Sequence, residues 1–256
     1  MHRLMMTLEY DGAGFCGWQL QAGGRTVQGV LERAIGKATG TASRVAGASR
    51  TDAGVHAVGQ VAHVDTASEL APEQFLKAVN HWLPKDVSVL DCREAPEGFH
   101  ARFSATSKLY RYGILRSAVR RPLREARAVR VWRALDVDAM AECAALLVGE
   151  HDFSSFASEH TEARSNVRRV TRCELIEDAD ELHLMIEANG FLYNMVRIIA
   201  GTLLAVGRSR MTPAAFRQAI DRRSRRAAGP TAAARGLTLL RVRYAEDPRS
   251  GTFLIG

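Results

Sequence analysis

Strand-like and helix-like hydrophobic patterns follow one another along this chain in an order that occurs twice. The first half contains strand, helix, two strands, helix and strand, at residues 3–10, 27–38, 44–48, 60–66, 72–83 and 87–94. The second half repeats this order at residues 107–115, 140–147, 167–177, 181–188, 191–206 and 236–244, with an extra helix opened by Thr212 and Pro213. This β-α-β-β-α-β order is the split βαβ, or ferredoxin-like, arrangement.

Two such halves predict an α+β fold in which two antiparallel sheets are joined around a central cleft. We expect an N-terminal domain at residues 1–105, a C-terminal domain at 106–245 and a loose tail at 246–256. The identity between the halves is negligible, so the duplication rests on pattern alone. The segment 118–130 has little periodicity and is predicted to be a loop, and loops of that length in compact domains are often functional.

The charge balance is basic, with a net charge of +7 and a pI of about 9.6. Arginines are concentrated in two stretches, with eight between Tyr110 and Arg133 and ten between Arg208 and Arg243, and each stretch contains a single acidic residue. Guanidinium groups match phosphate geometry and hold their charge at any workable pH. We therefore predict a polyanionic partner, with nucleic acid favoured, and assign phosphate contacts to residues 120–130 and 222–226. A solvated face is the alternative for either stretch.

The chain has no segment that resembles a signal peptide or is long enough to span a membrane. Its four cysteines show no metal-ligand spacing, and a chain of this length does not need disulfides to fold. We expect a soluble cytoplasmic protein with buried free thiols and no membrane partner.

A candidate reactive site lies at residues 47–60, which read GASRTDAGVHAVGQ and connect two predicted strands. This segment combines Arg50, Asp52, Gly54 and His56. A plain turn is one interpretation, because Asp-x-Gly is common in turns. The other is chemical, because a nearby arginine lowers the pKa of a carboxyl group, which suits a nucleophile or a metal ligand.

Arg197 is a charged residue in an otherwise apolar predicted helix, FLYNMVRIIAGTLLAV. A charge on such a helix is unfavourable unless it is paired. The side chain either meets a buried carboxylate or extends to solvent at the rim of the helix.

The stretch from Ser49 to Ala57, SRTDAGVHA, resembles the signature of the bacterial tRNA pseudouridine synthase I family. Ser49 replaces a glycine of the usual pattern, which affects local loop geometry. Further blocks of this sequence resemble that family across residues 3 to about 244, at residues 10–19, 99–105, 108–112 and 190–197.

The resemblance implies the pseudouridine synthase fold and an enzyme that isomerises uridine to pseudouridine in the anticodon stem-loop of tRNA, at positions 38 to 40. It implies that Asp52 is the catalytic nucleophile, that Arg197 pairs with it, that Tyr110 stacks on the target base and that Arg50 contacts the RNA. It implies no cofactor and no metal, and a homodimer in which one tRNA crosses both subunits. Because Tyr110 and Tyr112 alternate along a strand, one of them is expected to belong to the core.

Two other functions remain open from the residues. A non-catalytic RNA-binding protein could be built from two such sheets, although the chain lacks the aromatic signature of common RNA-binding modules. A metal-dependent hydrolase could use Asp11, Asp52 and either His56 or His63, although no metal-binding motif of typical spacing is present.

Overall fold

The N-terminal half is a split βαβ unit in the computed structural model, which describes residues 1–158 and 164–245. Its elements are β1 (His2–Tyr10), α1 (Val27–Thr39), β2 (Val45–Gly47), β3 (His56–Thr66), α2 (Pro72–Trp82) and β4 (Val87–Glu94). The strands lie in the order β4-β1-β3-β2, and each pair of neighbours is antiparallel. This is the strand order that the ferredoxin-like arrangement requires.

The C-terminal half repeats the plan with additional elements. It contains β5 (Ala105–Arg116), α3 (Pro122–Glu125), β6 (Val129–Val131), α4 (Val137–Ala145), β7 (Gly149–Asp152), β8 (Val167–Asp178), β9 (Glu181–Ala188), α5 (Met195–Gly207), α6 (Pro213–Arg222) and β10 (Leu237–Tyr244). The order β10-β5-β9-β8 is again antiparallel throughout, and β7 extends the sheet beyond β8.

A short parallel pairing of β3 with β10 joins the two halves into one sheet, through His56 opposite Thr238 and Ala57 opposite Leu239. The predicted α+β fold class, with two split βαβ halves side by side, is confirmed. The predicted tail at 246–256 lies outside the described residues.

Local sequence explains where several helices begin and end. The Thr26 hydroxyl accepts a hydrogen bond from the Gly29 N–H at the start of α1, and Gly40 ends this helix with φ of 71°. Thr212 and Pro213 open α6 as predicted, with the Thr212 hydroxyl accepting from the Ala215 N–H. Among the described helices, none combines the length and the apolar character needed to cross a membrane.

Four sequence predictions were wrong in detail. The segment 118–130 is not a plain loop, because it contains α3 and the start of β6, which pairs with β5. Both elements are too short for periodicity to reveal. The long apolar helix begins at Met195 rather than at 191, because Asn194 adopts φ of 61°, which is not helical. The strand predicted from residue 60 already begins at His56. All four cysteines are free as expected, but Cys16 is exposed and Cys92 is only partly buried.

Candidate active site

A cleft of about 970 Å³ is lined by residues of both halves of the sheet. The segment 48–55, between β2 and β3, forms part of one wall, and residues of β5 and the segment 191–196 form part of the other. Three of the four predicted site residues, Arg50, Asp52 and Tyr110, line this cleft. Arg50 is exposed within it.

The segment that carries Asp52 is a tight turn, as one of the two interpretations predicted, and the chemical role of Asp52 stays a prediction. The Asp52 carbonyl accepts a hydrogen bond from the Val55 N–H at 3.1 Å, and Gly54 adopts φ of 77° between them. Few residues other than glycine adopt this conformation without strain.

The N-terminal block of the sequence holds this turn in place. The Trp18 N–H donates to the Thr51 carbonyl at 3.0 Å, and the Tyr10 hydroxyl lies 2.8 Å from the Thr51 hydroxyl. Gly17 adopts φ of 100°, and a Cβ atom at this position would lie 2.7 Å from the Thr51 carbonyl oxygen. A side chain at residue 17 would therefore push against the backbone next to Asp52.

Asp52 and Arg197 form an ion pair at 3.1 Å, although they are 145 positions apart in the chain. Their side chains are 15% and 19% exposed, so the pair is largely removed from water. The Arg197 guanidinium also donates to the Ala232 carbonyl at 2.9 Å and to Asn194 Oδ1 at 2.6 Å. Arg197 is thus fixed by two further contacts, and one of its terminal nitrogens donates to Asp52.

Burial raises the pKa of the Asp52 carboxyl group above its ordinary value, and the hydrogen bond and charge of Arg197 oppose this rise. The predicted lowering of this pKa was therefore wrong in direction. The cause is desolvation, which a local pattern of sequence does not reveal.

Both Tyr110 and Tyr112 of β5 are buried in the core, and Tyr110 also lines the cleft. The Tyr110 hydroxyl lies 2.7 Å from the Ser49 hydroxyl, and its ring meets the Phe191 ring edge to face with centroids 5.1 Å apart. The Tyr112 hydroxyl instead donates to the Ala233 carbonyl. Ser49, which replaces the usual glycine, supplies the hydroxyl that contacts Tyr110.

Most of this chain matches a known protein family. A family model described as tRNA pseudouridine synthase matches residues 6–104 and 143–245. The chain belongs to the tRNA pseudouridine synthase family. The matched ranges include the segments 48–55 and 191–196 on the two walls of the cleft, whereas β5 lies between the two ranges.

Several relatives of known name are similar over nearly their whole length. A tRNA pseudouridine synthase A of Geobacillus kaustophilus is 45% identical over 248 residues, which is 96% of this chain and 95% of the relative. Proteins of the same name from Rhodospirillum rubrum and Burkholderia thailandensis are 44% and 43% identical, covering 95% and 94% of this chain and 88% and 90% of the relatives.

The residues of the metal-dependent alternative are engaged elsewhere in this family member. Asp52 contacts Arg197, and His63 Nδ1 accepts a hydrogen bond from the Ala101 N–H. Asp11 and His56 lie 3.1 Å apart, and His56 Nδ1 also accepts from the Gly12 N–H. Within residues 1–158 and 164–245, no three His, Cys, Asp or Glu side chains are grouped so that they could hold a metal ion. The geometry gives the hydrolase no support.

The stretches to which phosphate contacts were assigned do not line the cleft. Within 120–130, Arg124 contacts Asp180 and Glu181, and Arg130 lies 3.2 Å from Glu125. The charges of these two arginines are therefore already compensated by carboxylates.

Three cations of the cleft, Arg102, Lys108 and Arg168, received no binding role from the sequence. Arg102 and Lys108 lie within blocks that resemble the family, which is the only signal that could have drawn attention to them. Arg168 lies in none of these blocks.

Proposed function

We propose that this protein converts uridine to pseudouridine in the anticodon stem-loop of tRNA, at positions 38 to 40, with Asp52 as the nucleophile. The observation that carries the proposal is the Asp52 carboxylate, held by Arg197 at 3.1 Å on the wall of a cleft that Tyr110 also lines. Relatives named tRNA pseudouridine synthase A, at 43–45% identity, support tRNA as the substrate.

The reaction is an isomerisation, so its atoms balance without a co-reactant. The bond between N1 of uracil and C1′ of ribose breaks, the base turns over, a bond forms between C5 and C1′, and the C5 proton leaves while N1 gains one. Asp52 takes up C1′ directly or assists departure of the base through a glycal. Carboxylates perform covalent catalysis of this kind in glycosyl transfer. Neither branch calls for redox chemistry or a cofactor.

The neighbours of Asp52 then have distinct roles. Arg197 positions the carboxylate and supports its ionised form. The ring of Tyr110 stacks on the flipped uracil, and such stacking contributes about 1–3 kcal/mol per base. Burial raises the pKa of the Tyr110 phenol, so that it stays protonated and serves as a platform rather than a base. Arg50, exposed in the cleft, contacts the RNA beside the flipped nucleotide.

The proposal extends to assembly and location. We propose that residues 1–105 and 106–245 act as two units around the cleft and that two copies of the chain bind one tRNA across both subunits. The family resemblance supports this arrangement. The cytoplasm, where tRNA is found, is the proposed location.

Release of tritium from tRNA labelled at C5 of uridine tests the activity, because the C5 proton leaves only if the new bond forms. We expect Asp52→Asn to lose on the order of 10⁴-fold or more in rate, as removal of a nucleophile does elsewhere, while tRNA binding persists. Asp65→Asn is the matched control, because Asp65 forms an ion pair with Arg3 outside the cleft. A wild-type protein that binds tRNA without releasing tritium would identify a non-catalytic RNA-binding protein. Substantial turnover by Asp52→Asn would remove the role of Asp52.

A further inference from the structure

Three positively charged side chains line the cleft and have no carboxylate partner among residues 1–158 and 164–245. Lys108 comes from β5, Arg168 from β8, and Arg102 from the segment before β5. Within the described part of the chain, none of the three forms an ion pair, in contrast to Arg124 and Arg130 outside the cleft. Among the described residues that line the cleft, positive charge therefore exceeds negative charge beside the Asp52–Arg197 pair.

The donors of two of these cations are only partly used. The Lys108 ammonium donates to the Ala48 carbonyl at 2.6 Å, and an ammonium has three N–H donors. One terminal nitrogen of Arg168 donates to the Ser165 carbonyl at 2.8 Å and to the Val167 carbonyl at 2.6 Å. Its Nε faces Gly190, which has no side chain to cover it. Donors on both groups thus remain available for a ligand that accepts several hydrogen bonds.

The electrostatics of these groups favour an anion. Burial and the charges of Arg102 and Arg168 lower the pKa of Lys108 to about 8. Burial also lowers the pKa of Arg168. Partly desolvated cations that repel one another are stabilised when an anion binds between them, and guanidinium and ammonium groups are the usual phosphate ligands of proteins.

We propose that Arg102, Lys108 and Arg168 bind one phosphodiester group of the RNA strand next to the target nucleotide. This assignment rests on the proposed function and identifies the part of the substrate that the cleft holds besides the base. Lys108 connects the two sites, because it bonds to the carbonyl of Ala48, four residues before Asp52. A phosphate on Lys108 is therefore tied to the turn that carries the nucleophile and fixes the distance between Asp52 and C1′.

The test uses anticodon stem-loop RNAs in which one phosphate flanking the target uridine is replaced by a neutral methylphosphonate. We expect one position to lower kcat/KM of the wild type by about tenfold or more, since a hydrogen bond to a charged group contributes on that scale. Arg168→Gln should lower kcat/KM for unmodified RNA similarly. Combining the variant with that methylphosphonate should cause little further loss, because both remove the same contact.

Arg208→Gln is the matched control, because Arg208 is exposed at the end of α5 and lies outside the cleft. When Arg208→Gln is combined with the methylphosphonate, the fold losses in kcat/KM should multiply, because the two changes are independent. If the losses from Arg168→Gln also multiply with every methylphosphonate, or if no flanking phosphate matters, the assignment is wrong.

Binding measurements keep the phosphate site separate from the proposed reaction. The slope of log Kd against log salt concentration should decrease by about 0.7–0.9 in Arg168→Gln, which corresponds to one phosphate contact. Lys108→Arg should keep the wild-type slope, because it retains a cation that can contact the phosphate. If the wild type releases no tritium, only the proposed function is contradicted. If the salt slope is unchanged in Arg168→Gln, only the phosphate site is overturned.

Discussion

At the scale of single residues, the environment of Asp52 stabilises its ionised form less than water does, because burial raises its pKa more than Arg197 lowers it. Between the ordinary pKa and the raised one, the folded state binds more protons than the unfolded state, so stability falls as pH rises through this window. The loss is complete once the pH lies above the raised pKa. We therefore expect Asp52→Asn to have a higher free energy of unfolding than the wild type at pH 7, despite its inactivity.

Urea unfolding at pH 7 and at lower pH measures this difference. The advantage of the Asn variant should shrink as the pH falls through the raised pKa of Asp52 towards the ordinary value of 3.8. An Asn variant that is less stable than the wild type at pH 7 would mean that the ion pair outweighs desolvation.

Removal of Arg197 should lower the stability of the protein, whereas Asp52→Asn should raise it. Without Arg197 the Asp52 carboxylate has lost its partner. Breaking a buried pair from one side typically costs about 3–5 kcal/mol, and the partial exposure of this pair places Arg197→Ala at or below the lower end of that range. Urea unfolding measures the cost, and tritium release should fall with it. In Asp52→Asn/Arg197→Ala the two effects should not add, because the carboxylate left unpaired by Arg197→Ala is gone. Additive effects would mean that the two residues act independently.

Lys108 makes RNA affinity depend on pH in a predictable direction. Its pKa is lowered to about 8, so the ammonium is charged below pH 8 and is lost as the pH rises above it. A bound phosphate favours the charged form, hence Kd should increase from pH 7 to pH 9. Guanidinium groups hold their charge over this range. Lys108→Arg should show a flat Kd over this range, and a flat wild type would contradict a phosphate contact.

At the scale of elements, periodicity located most helices and strands but missed conformations set by single side chains. The apolar run from 191 predicts a helix, yet Asn194 leaves the helical region, donates to Ser158 and accepts from Arg197. The four residues before α5 line the cleft instead. Hydrophobicity cannot predict this break, because the residues on both sides of it are equally apolar.

The residues of the candidate site, like the helices and strands, could be predicted only in part from the sequence. The motif around Asp52 and the isolated charge of Arg197 pointed to residues that do meet. Arg168 was not found, because its place beside Lys108 depends on the order of strands across the sheet rather than on its neighbours in sequence. The two stretches to which charge density assigned phosphate contacts lie outside the cleft, and their contact with RNA stays a prediction.

The turn that carries Asp52 packs against Gly17, and a substitution can test whether this contact matters. In Gly17→Ala the Cβ atom would lie 2.7 Å from the Thr51 carbonyl oxygen, so the turn must move. Gly40→Ala is the control, because Gly40 also has a positive φ, of 71°, but no atom within 4 Å of its Cβ position. Both variants should lose about 1–2 kcal/mol of stability from backbone strain. Only Gly17→Ala should also lower kcat for tritium release, and equal kcat values would disconnect this contact from catalysis.

At the scale of the whole molecule, the cleft exists because two sheets meet along a very short seam. Two residue pairs join β3 to β10, and Gly59 lies beside them, where a Cβ atom would be 2.2 Å from the Leu240 carbonyl oxygen. Gly59→Ala must therefore move the two strands apart. Because Asp52 is carried on one side of this seam and Tyr110 and Arg197 on the other, a small displacement should disturb the site more than the core of either half.

We expect Gly59→Ala to lose about 1–3 kcal/mol of stability, as overpacked sites do, and to lower kcat/KM for tritium release by tenfold or more. Gly36→Ala is the matched control. Gly36 lies in α1, where alanine is favoured over glycine, and the nearest atom to its added Cβ would be 3.9 Å away. It should melt at the same or a higher temperature with unchanged kcat/KM. If Gly59→Ala lowers the melting temperature but leaves kcat/KM intact, the seam does not set the distance across the cleft, and Asp52 must be aligned with the target nucleotide by contacts within its own half.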